Sequence, residues 1–494
     1  MVRLRVVLAL VVLCGATVSC AGSDEPPSVA HKLNFVFVVV DDLDLTSTPY
    51  WDAMPKTKAL IADRGSTFRN MFATDPVCCP ARATLLTGMY PHNTEVFNSE
   101  GGLEKFRTGK SKSSIGVRLR KAGYTTAFMG KYLNGYELDP SYVPPGWDEW
   151  FGLAGKKFLT GYDYDANHNG RMEHFGARTR DYQTDVLRQR ATEFVDEQAD
   201  SDKPFLLTLF PTAPHSPIEP ARRHRDNPFA DDPIPDRKNF DEDLSDKPLW
   251  LRGIYSRPLT AKEKASSLKR YRNGLGALMA VDDMVASIAS RLEATDALDN
   301  TVFIFTSDNG YSFGSHQWRG KLAPYDETTR VPLAIAGPGV RERTEDHLVA
   351  QIDLAPTLYD LAGLPEQPDV DGVSLAPLLR DQDVRWRPSI LIEYKATPAF
   401  PFHTLADVQR TVFRGGSGGG VVPDYRSVRT PKWQYIEWYA GDQHEYELYD
   451  MAEDPFQLTN LRADLASAAE HQDVVTKLDA RLDDLAACSG ADCR

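Results

Sequence analysis

The chain has 494 residues, enough to bury a large core and to form roughly two to four units or one large α/β domain. Its 56 basic and 70 acidic residues leave a net charge of -14. That balance excludes a general nucleic-acid or membrane-surface binder, while leaving room for an anionic substrate held by a few local cations.

Residues 1–19 carry Arg3 and Arg5, an apolar run at 6–13 and small residues up to Cys20. This reads as an export leader, too short to span a membrane as a mature helix. Thr17-Val18-Ser19-Cys20 and the polar tether over 20–31 are similar to a bacterial lipoprotein cleavage site, which makes Cys20 a candidate for lipidation. The expected location is extracellular or at the cell surface, with the membrane reached only through that anchor. Cys14 and Cys20 belong to the leader, and Cys488 and Cys493 form a spaced pair in the tail, expected as a disulfide in an oxidising compartment. Adjacent Cys78 and Cys79 remain. No Cys or His follows them at zinc-ligand spacing.

The first core strand is expected over 33–40, a near-continuous apolar run of the kind buried on both faces, ending in Asp41-Asp42. Cys78-Cys79-Pro80-Ala81-Arg82 follows, then an apolar segment stopped by Gly88. This predicts a short helix with Cys78 at or just before its N-terminus, where free N–H groups favour an anion. A helix over 113–122 and a strand over 124–129 lead to Gly130-Lys131-Tyr132-Leu133-Asn134, and a strand over 204–210 leads to Pro214-His215-Ser216-Pro217. Residues 219–258, rich in Pro, Asp and Arg, read as a surface excursion over the mouth of the site. A long amphipathic helix is expected over 271–292, with Asp282-Asp283 as a solvated or capping pair. A second buried strand, 300–307, ends in Asp308-Asn309. Carboxylates at the carboxyl ends of buried strands are placed to hold a cation, and an all-oxygen set selects Ca²⁺ or Mg²⁺ over zinc. Residues 415–420 are glycine-rich and read as a flexible loop, followed by short antiparallel strands and a terminal helix over 465–486.

Taken together, these motifs resemble the type I, formylglycine-dependent sulfatases of the alkaline phosphatase superfamily. The match runs through Cys78, Pro80 and Arg82 with Thr87-Gly88, then Asp41-Asp42, Gly130-Lys131-Tyr132, Pro214-His215, Asp308-Asn309-Gly310, Gly314, His316, Gly320-Lys321 and Arg330-Val331-Pro332. It implies a large mixed, mostly parallel sheet sandwiched by helices, with a small C-terminal antiparallel α+β subdomain. The corresponding boundaries are 32–385 for the catalytic domain and 386–494 for the subdomain.

The resemblance further implies that a formylglycine-generating enzyme oxidises Cys78 to an aldehyde whose hydrate attacks sulfur. Ca²⁺, with Mg²⁺ as the alternative, would be held by Asp41, Asp42, Asp308, Asn309 and the modified Cys78. Arg82, Lys131 and Lys321 would neutralise sulfuryl charge, and His215 would serve as general base or acid. Leu133 stands where many relatives have a histidine, so Asn134 is expected to take part of that role, with His316 also on the substrate side. The nearest branch is the glucosamine-6-sulfatases, although Ser312 replaces that branch's histidine in D-x-G-Y-H. The substrate is therefore expected to be a sulfated sugar or other sulfated small molecule. The alternatives are an arylsulfatase, a phosphonate or phosphodiester hydrolase, and a non-catalytic glycan-binding lipoprotein.

Overall fold

The computed structural model describes residues 32–46, 48–254, 257–380, 384–396, 404 and 422–494. The leader with Cys20 and the glycine-rich 415–420 lie outside the described residues.

Strand Asn34–Val40 is buried at every position and lies at the centre of a ten-stranded sheet. It pairs in parallel with Phe205–Phe210 on one side and Thr301–Ser307 on the other. Thr125–Gly130 and Glu149–Ala154 extend the parallel block. Antiparallel Leu333–Ala336 follows on one flank, and Tyr164–His168 with Arg171–Phe175 close the other. The apolar runs are continuous because both faces are covered. Val36, Val38 and Val40 point into one core with helices Gln183–Gln198 and Ala261–Ala294, while Phe35, Phe37 and Val39 enter the other.

The long helix starts at Ala261, ten residues before the sequence-based expectation. A capping box extends it: Thr260 Oγ1 accepts from Glu263 N–H, and the Glu263 carboxylate accepts from Thr260 N–H. The expected capping role of Asp282 is filled in an unexpected way. Its carboxylate accepts from Lys56 N–H and Thr57 N–H, at the first turn of Pro55–Thr57. The 219–258 excursion is pinned by Trp250, which is buried against Trp318 and Trp438.

Ile390–Tyr394, Asp424–Arg429, Trp433–Ala440 and Gln443–Asp450 form a separate four-stranded antiparallel sheet. Helix Gln472–Ala487 packs beside it, and Cys488 and Cys493 are joined as a disulfide with a Cα–Cα distance of 5.1 Å. The tail docks onto the loop beyond the Cys78 helix: Asn93 Nδ2 donates to the Cys488 carbonyl at 3.0 Å, and Gly490 N–H donates to Asp371 Oδ1 at 2.7 Å.

Gly130 ends its strand against Phe210, with φ +124°, and a Cβ there would lie 2.1 Å from the Phe210 carbonyl oxygen. Only glycine permits this approach. Gly130→Ala is expected to cost about 3 kcal/mol and to displace Lys131, whose N–H donates to that carbonyl at 2.8 Å. Chemical denaturation and kcat should fall together. An unchanged unfolding midpoint would contradict the steric argument.

Candidate active site

Strand register brings the carboxylates together. Val40 pairs with Ser307, so Asp41-Asp42 and Asp308-Asn309 leave adjacent strand ends, and Asp308 N–H donates to the Val40 carbonyl at 3.1 Å. Asp42 takes a left-handed backbone conformation, φ 67°, and its N–H donates to Asp308 Oδ1 at 3.2 Å.

Cys78 is the first residue of the wholly buried helix Cys78–Thr87, which ends at Gly88 with φ 76°. The expected short helix is therefore present, with the thiol at its N-terminal end. Arg82, one turn on, is completely buried. Its Nε donates to Asp308 Oδ2 at 2.8 Å, its Nη1 donates to the Lys131 carbonyl at 2.5 Å, and its Nη2 lies 3.3 Å from Asp41 Oδ2.

Two lysines close the cluster. Lys131 Nζ donates to Asp41 Oδ2 at 2.5 Å. Lys321 Nζ donates both to Asp42 Oδ1 and to Cys78 Sγ, each at 2.6 Å. The thiol itself lies 3.4 Å from Asp41 Oδ1. His215 comes from the loop beyond Phe205–Phe210, with Nε2 3.6 Å from Asp42 Oδ2 and no partner on its buried Nδ1.

Burial opposes ionisation of all these groups, and the neighbouring charges decide which stay charged. For Asp41, Lys131 leads the cations that overcome burial and hold the carboxyl well below its usual range. Asp42 is drawn down to about 2 against the same burial, chiefly by Lys321. Asp308 is raised, by burial first and then by Asp41. Burial, reinforced by Asp41, pushes the Cys78 thiol up to about 12. The encoded thiol is thus held protonated and is a poor nucleophile as it stands.

Burial also lowers His215 to about 4. Because the neutral ring is favoured, its proton leaves at a lower pH than from a free imidazole, and His215 is a neutral acceptor at pH 6. The acid limb of kcat/KM is therefore expected well below pH ~6.5. A wild-type limb at or above that value which disappears in His215→Gln would contradict a neutral His215.

The cluster offers a place for a cation, with His215 rather than Asp308 joining Asp41, Asp42 and Cys78. Ligand atoms of Asp41, Asp42, Cys78 and His215 all lie within 4.8 Å of one another. Asn309 is buried with Oδ1 unpartnered, while its Nδ2 donates to Asp42 Oδ1 at 2.6 Å. A half-turn of that amide would put an oxygen where the nitrogen now lies, adding a neutral ligand to the carboxylates.

Of the two residues expected on the substrate side, Asn134 lies beside Cys79 and His316 is packed away from the Cys78 cluster. The Asn134 carbonyl accepts from Leu103 N–H and, at 3.9 Å, from the Cys79 thiol, and its buried Oδ1 has no hydrogen-bond partner among the described residues. His316 is fully buried, with Nδ1 on Glu242 at 2.5 Å, Nε2 on Asn239 at 3.2 Å and its ring stacked on Tyr325. Both ring nitrogens are engaged, which suits a structural pillar.

One residue at the site was not singled out from sequence. Arg270, on helix Ala261–Ala294, donates through Nη2 to Asp42 Oδ2 at 2.6 Å and lies 3.6 Å above the Tyr311 ring. Its only sequence signal is a cation within an amphipathic helix, and surface arginines share that signal.

Residues 33–364 match the family model described as Sulfatase. The chain belongs to the sulfatase family. It is a sulfuric ester hydrolase by that membership, and it is similar to N-acetylglucosamine-6-sulfatase of Capra hircus, 32% identical over 96% of this chain and 87% of that protein. It is also similar to an arylsulfatase of Volvox carteri, 31% identical over 98% of this chain and 79% of that protein. A solved structure described as a complex with its substrate D-glucosamine-2-N,6-O-disulfate superposes with a TM-score of 0.75. That likeness covers 92% of this sulfatase and 97% of the other chain at 24% identity, and it bears on the fold alone.

Proposed function

We propose that this sulfatase removes the 6-sulfate from an N-acetylglucosamine-type sugar after export, with Cys78 converted to formylglycine and Ca²⁺ held by Asp41, Asp42, Asp308 and Asn309. The observation that carries the reading is the seat of Cys78. Its Sγ lies at a helix N-terminus, 2.6 Å from Lys321 Nζ and 3.4 Å from Asp41 Oδ1, in a chain 32% identical to an N-acetylglucosamine-6-sulfatase. A formylglycine-generating enzyme is the maturation partner, and lipid attachment at Cys20 belongs to the same reading.

The aldehyde hydrate supplies the nucleophile, and the cation supplies Lewis-acid stabilisation. The remaining work falls to the chain's own side chains. Lys321 and Lys131 place fixed positive charge beside residue 78, where it opposes the negative charge that develops on the sulfuryl oxygens. Arg82 is enclosed on all sides and acts as a positioning residue, locking Asp308, Asp41 and the Lys131 backbone into one arrangement. His215, neutral above about pH 4, accepts a proton during sulfate release.

The test is mass spectrometry of the Cys78 peptide from a host that carries the converting enzyme, followed by hydrolysis of N-acetylglucosamine 6-sulfate. A loss of about 18 Da is expected, against the mass gain of ordinary thiol oxidation. An unmodified or merely oxygenated Cys78 would overturn the mechanism. Conversion without turnover of any sulfated sugar would overturn the substrate.

A further inference from the structure

The cluster around residue 78 has an open side. Asp41, Arg82 and Asp308 are enclosed, whereas His215, Arg270 and Lys321 keep 17–18% of their side chains exposed. A sulfate ester bound at residue 78 therefore carries its sugar toward Arg270 and Lys321, and the groups beside those two face the leaving group.

Those groups come from a two-stranded ribbon and from helix Ala261–Ala294. In the ribbon Ser312 pairs with Gly320 and Phe313 with Arg319. Side chains alternate along a strand, so Tyr311, Phe313, Arg319 and Lys321 share one face. The Tyr311 and Phe313 rings lie 5.1 Å apart there, and Arg270, Arg319, Lys321 and Asp42 are the charges that act on the Tyr311 hydroxyl. The helix covers the same face. Tyr271 meets the Phe313 ring edge-on at 5.5 Å, Arg270 stacks on Tyr311, and Glu263 accepts from Arg319 Nη2 at 3.3 Å. Ser312 faces the other way, its Oγ donating to the Trp318 carbonyl at 2.9 Å.

Arg319 is thus two residues from Lys321, roughly 7 Å along the strand, and Lys321 Nζ touches Cys78 Sγ at 2.6 Å. That offset is about the breadth of one sugar ring with its substituents. The charge on Arg319 is only partly met, because Glu263 is shared with Arg257 at 3.0 Å. Arg319 keeps 27% of its side chain exposed, its Nε is buried without a partner, and its Nη1 makes no hydrogen bond among the described residues. Arg270 likewise commits only Nη2, to Asp42. Guanidinium donors left unpaired beside a desolvated cluster are costly, and a ligand oxyanion removes that cost.

We propose that Arg319, aided by Arg270, is a specificity-determining contact that receives a second oxyanion on the same sugar whose sulfate ester is cleaved at residue 78. The inference rests on the sulfated aminosugar reading above and deepens it. The preferred substrate is a glucosamine 6-sulfate carrying a further sulfate, on its nitrogen or on a ring oxygen.

The test uses enzyme whose Cys78 conversion has been verified by mass. The probes are N-acetylglucosamine 6-sulfate, N-sulfoglucosamine 6-sulfate and N-acetylglucosamine 3,6-disulfate. Wild type should favour one of the two disulfated sugars over the monosulfated one in kcat/KM by roughly tenfold or more, and the margin should shrink as salt rises. Arg319→Gln should lose that margin through KM. Arg319→Lys, which keeps the charge but not the fork, should retain part of it. No margin in wild type, or an undiminished margin in Arg319→Gln, would overturn the subsite alone. The wild-type margin and its salt dependence decide the question even where a variant fails to fold. A converted wild type that cleaves an aryl sulfate and none of the three sugars would overturn the aminosugar reading and the subsite with it.

Discussion

Cys78→Ser is expected to abolish sulfate-ester hydrolysis, lowering kcat/KM by about 10⁴-fold or more, while the protein keeps its fold and its cation. The exchange is nearly isosteric, so the helix from Cys78 to Thr87 and its burial should persist. Asp41, Asp42, Asp308 and Asn309 are untouched and would still offer their oxygens to the proposed ion. What disappears is the thiol that the proposed maturation would oxidise, and a buried serine hydroxyl beside Asp41 gains no acidity from that carboxylate. Elemental analysis should find calcium in the variant at the wild-type ratio, with the unfolding midpoint unchanged. A Cys78→Ser protein with full activity would refute the role given to this residue.

Arg82→Met should be the most damaging change to stability within the site, costing about 3–5 kcal/mol, the usual loss when one partner of a buried ion pair is removed. Arg82 touches Asp308, Asp41 and the Lys131 carbonyl from a position with no solvent access. Its guanidinium also lies 5.1 Å from the Phe210 ring centroid. Methionine refills much of the volume but leaves two buried carboxylates short of one cation and one carbonyl short of its donor. Activity should fall with stability, because the carboxylates and Lys131 lose a common brace. Added calcium should raise the unfolding midpoint of Arg82→Met more than that of wild type, since the ion replaces part of the missing charge. Arg82→Lys should recover charge but not the forked geometry, and should rank between the two. Equal midpoints for Arg82→Met and wild type in calcium-free buffer would show that the ion pairs contribute nothing net.

Much of this architecture was legible in the sequence because the central strands are covered on both faces. Their apolar runs stand out, and the abrupt Asp41-Asp42 and Asp308-Asn309 that follow mark where buried strands reach the edge of the core. The Cys78 helix was legible for a similar reason, with Gly88 supplying the residue type most at ease in its left-handed stop. The long helix was read short because its N-terminal signal, Thr260 with Glu263, lies among polar residues that carry no apolar periodicity. His316 misled in the opposite direction. Its motif position resembles a substrate contact, yet the fold places its ring between Glu242, Asn239 and Tyr325.

By itself, then, the sequence determined the strand ends, the cysteine at a helix start and the classes of side chain available for a sulfate ester. Tertiary structure alone decided the pairing of Val40 with Ser307, the approach of Lys321 to Cys78 and the choice of Arg270 from among many surface cations. Lys321 and Cys78 lie 243 residues apart, and no local propensity encodes a contact of that kind. It arises only when the two cores close around the sheet and force distant charges into one largely buried volume.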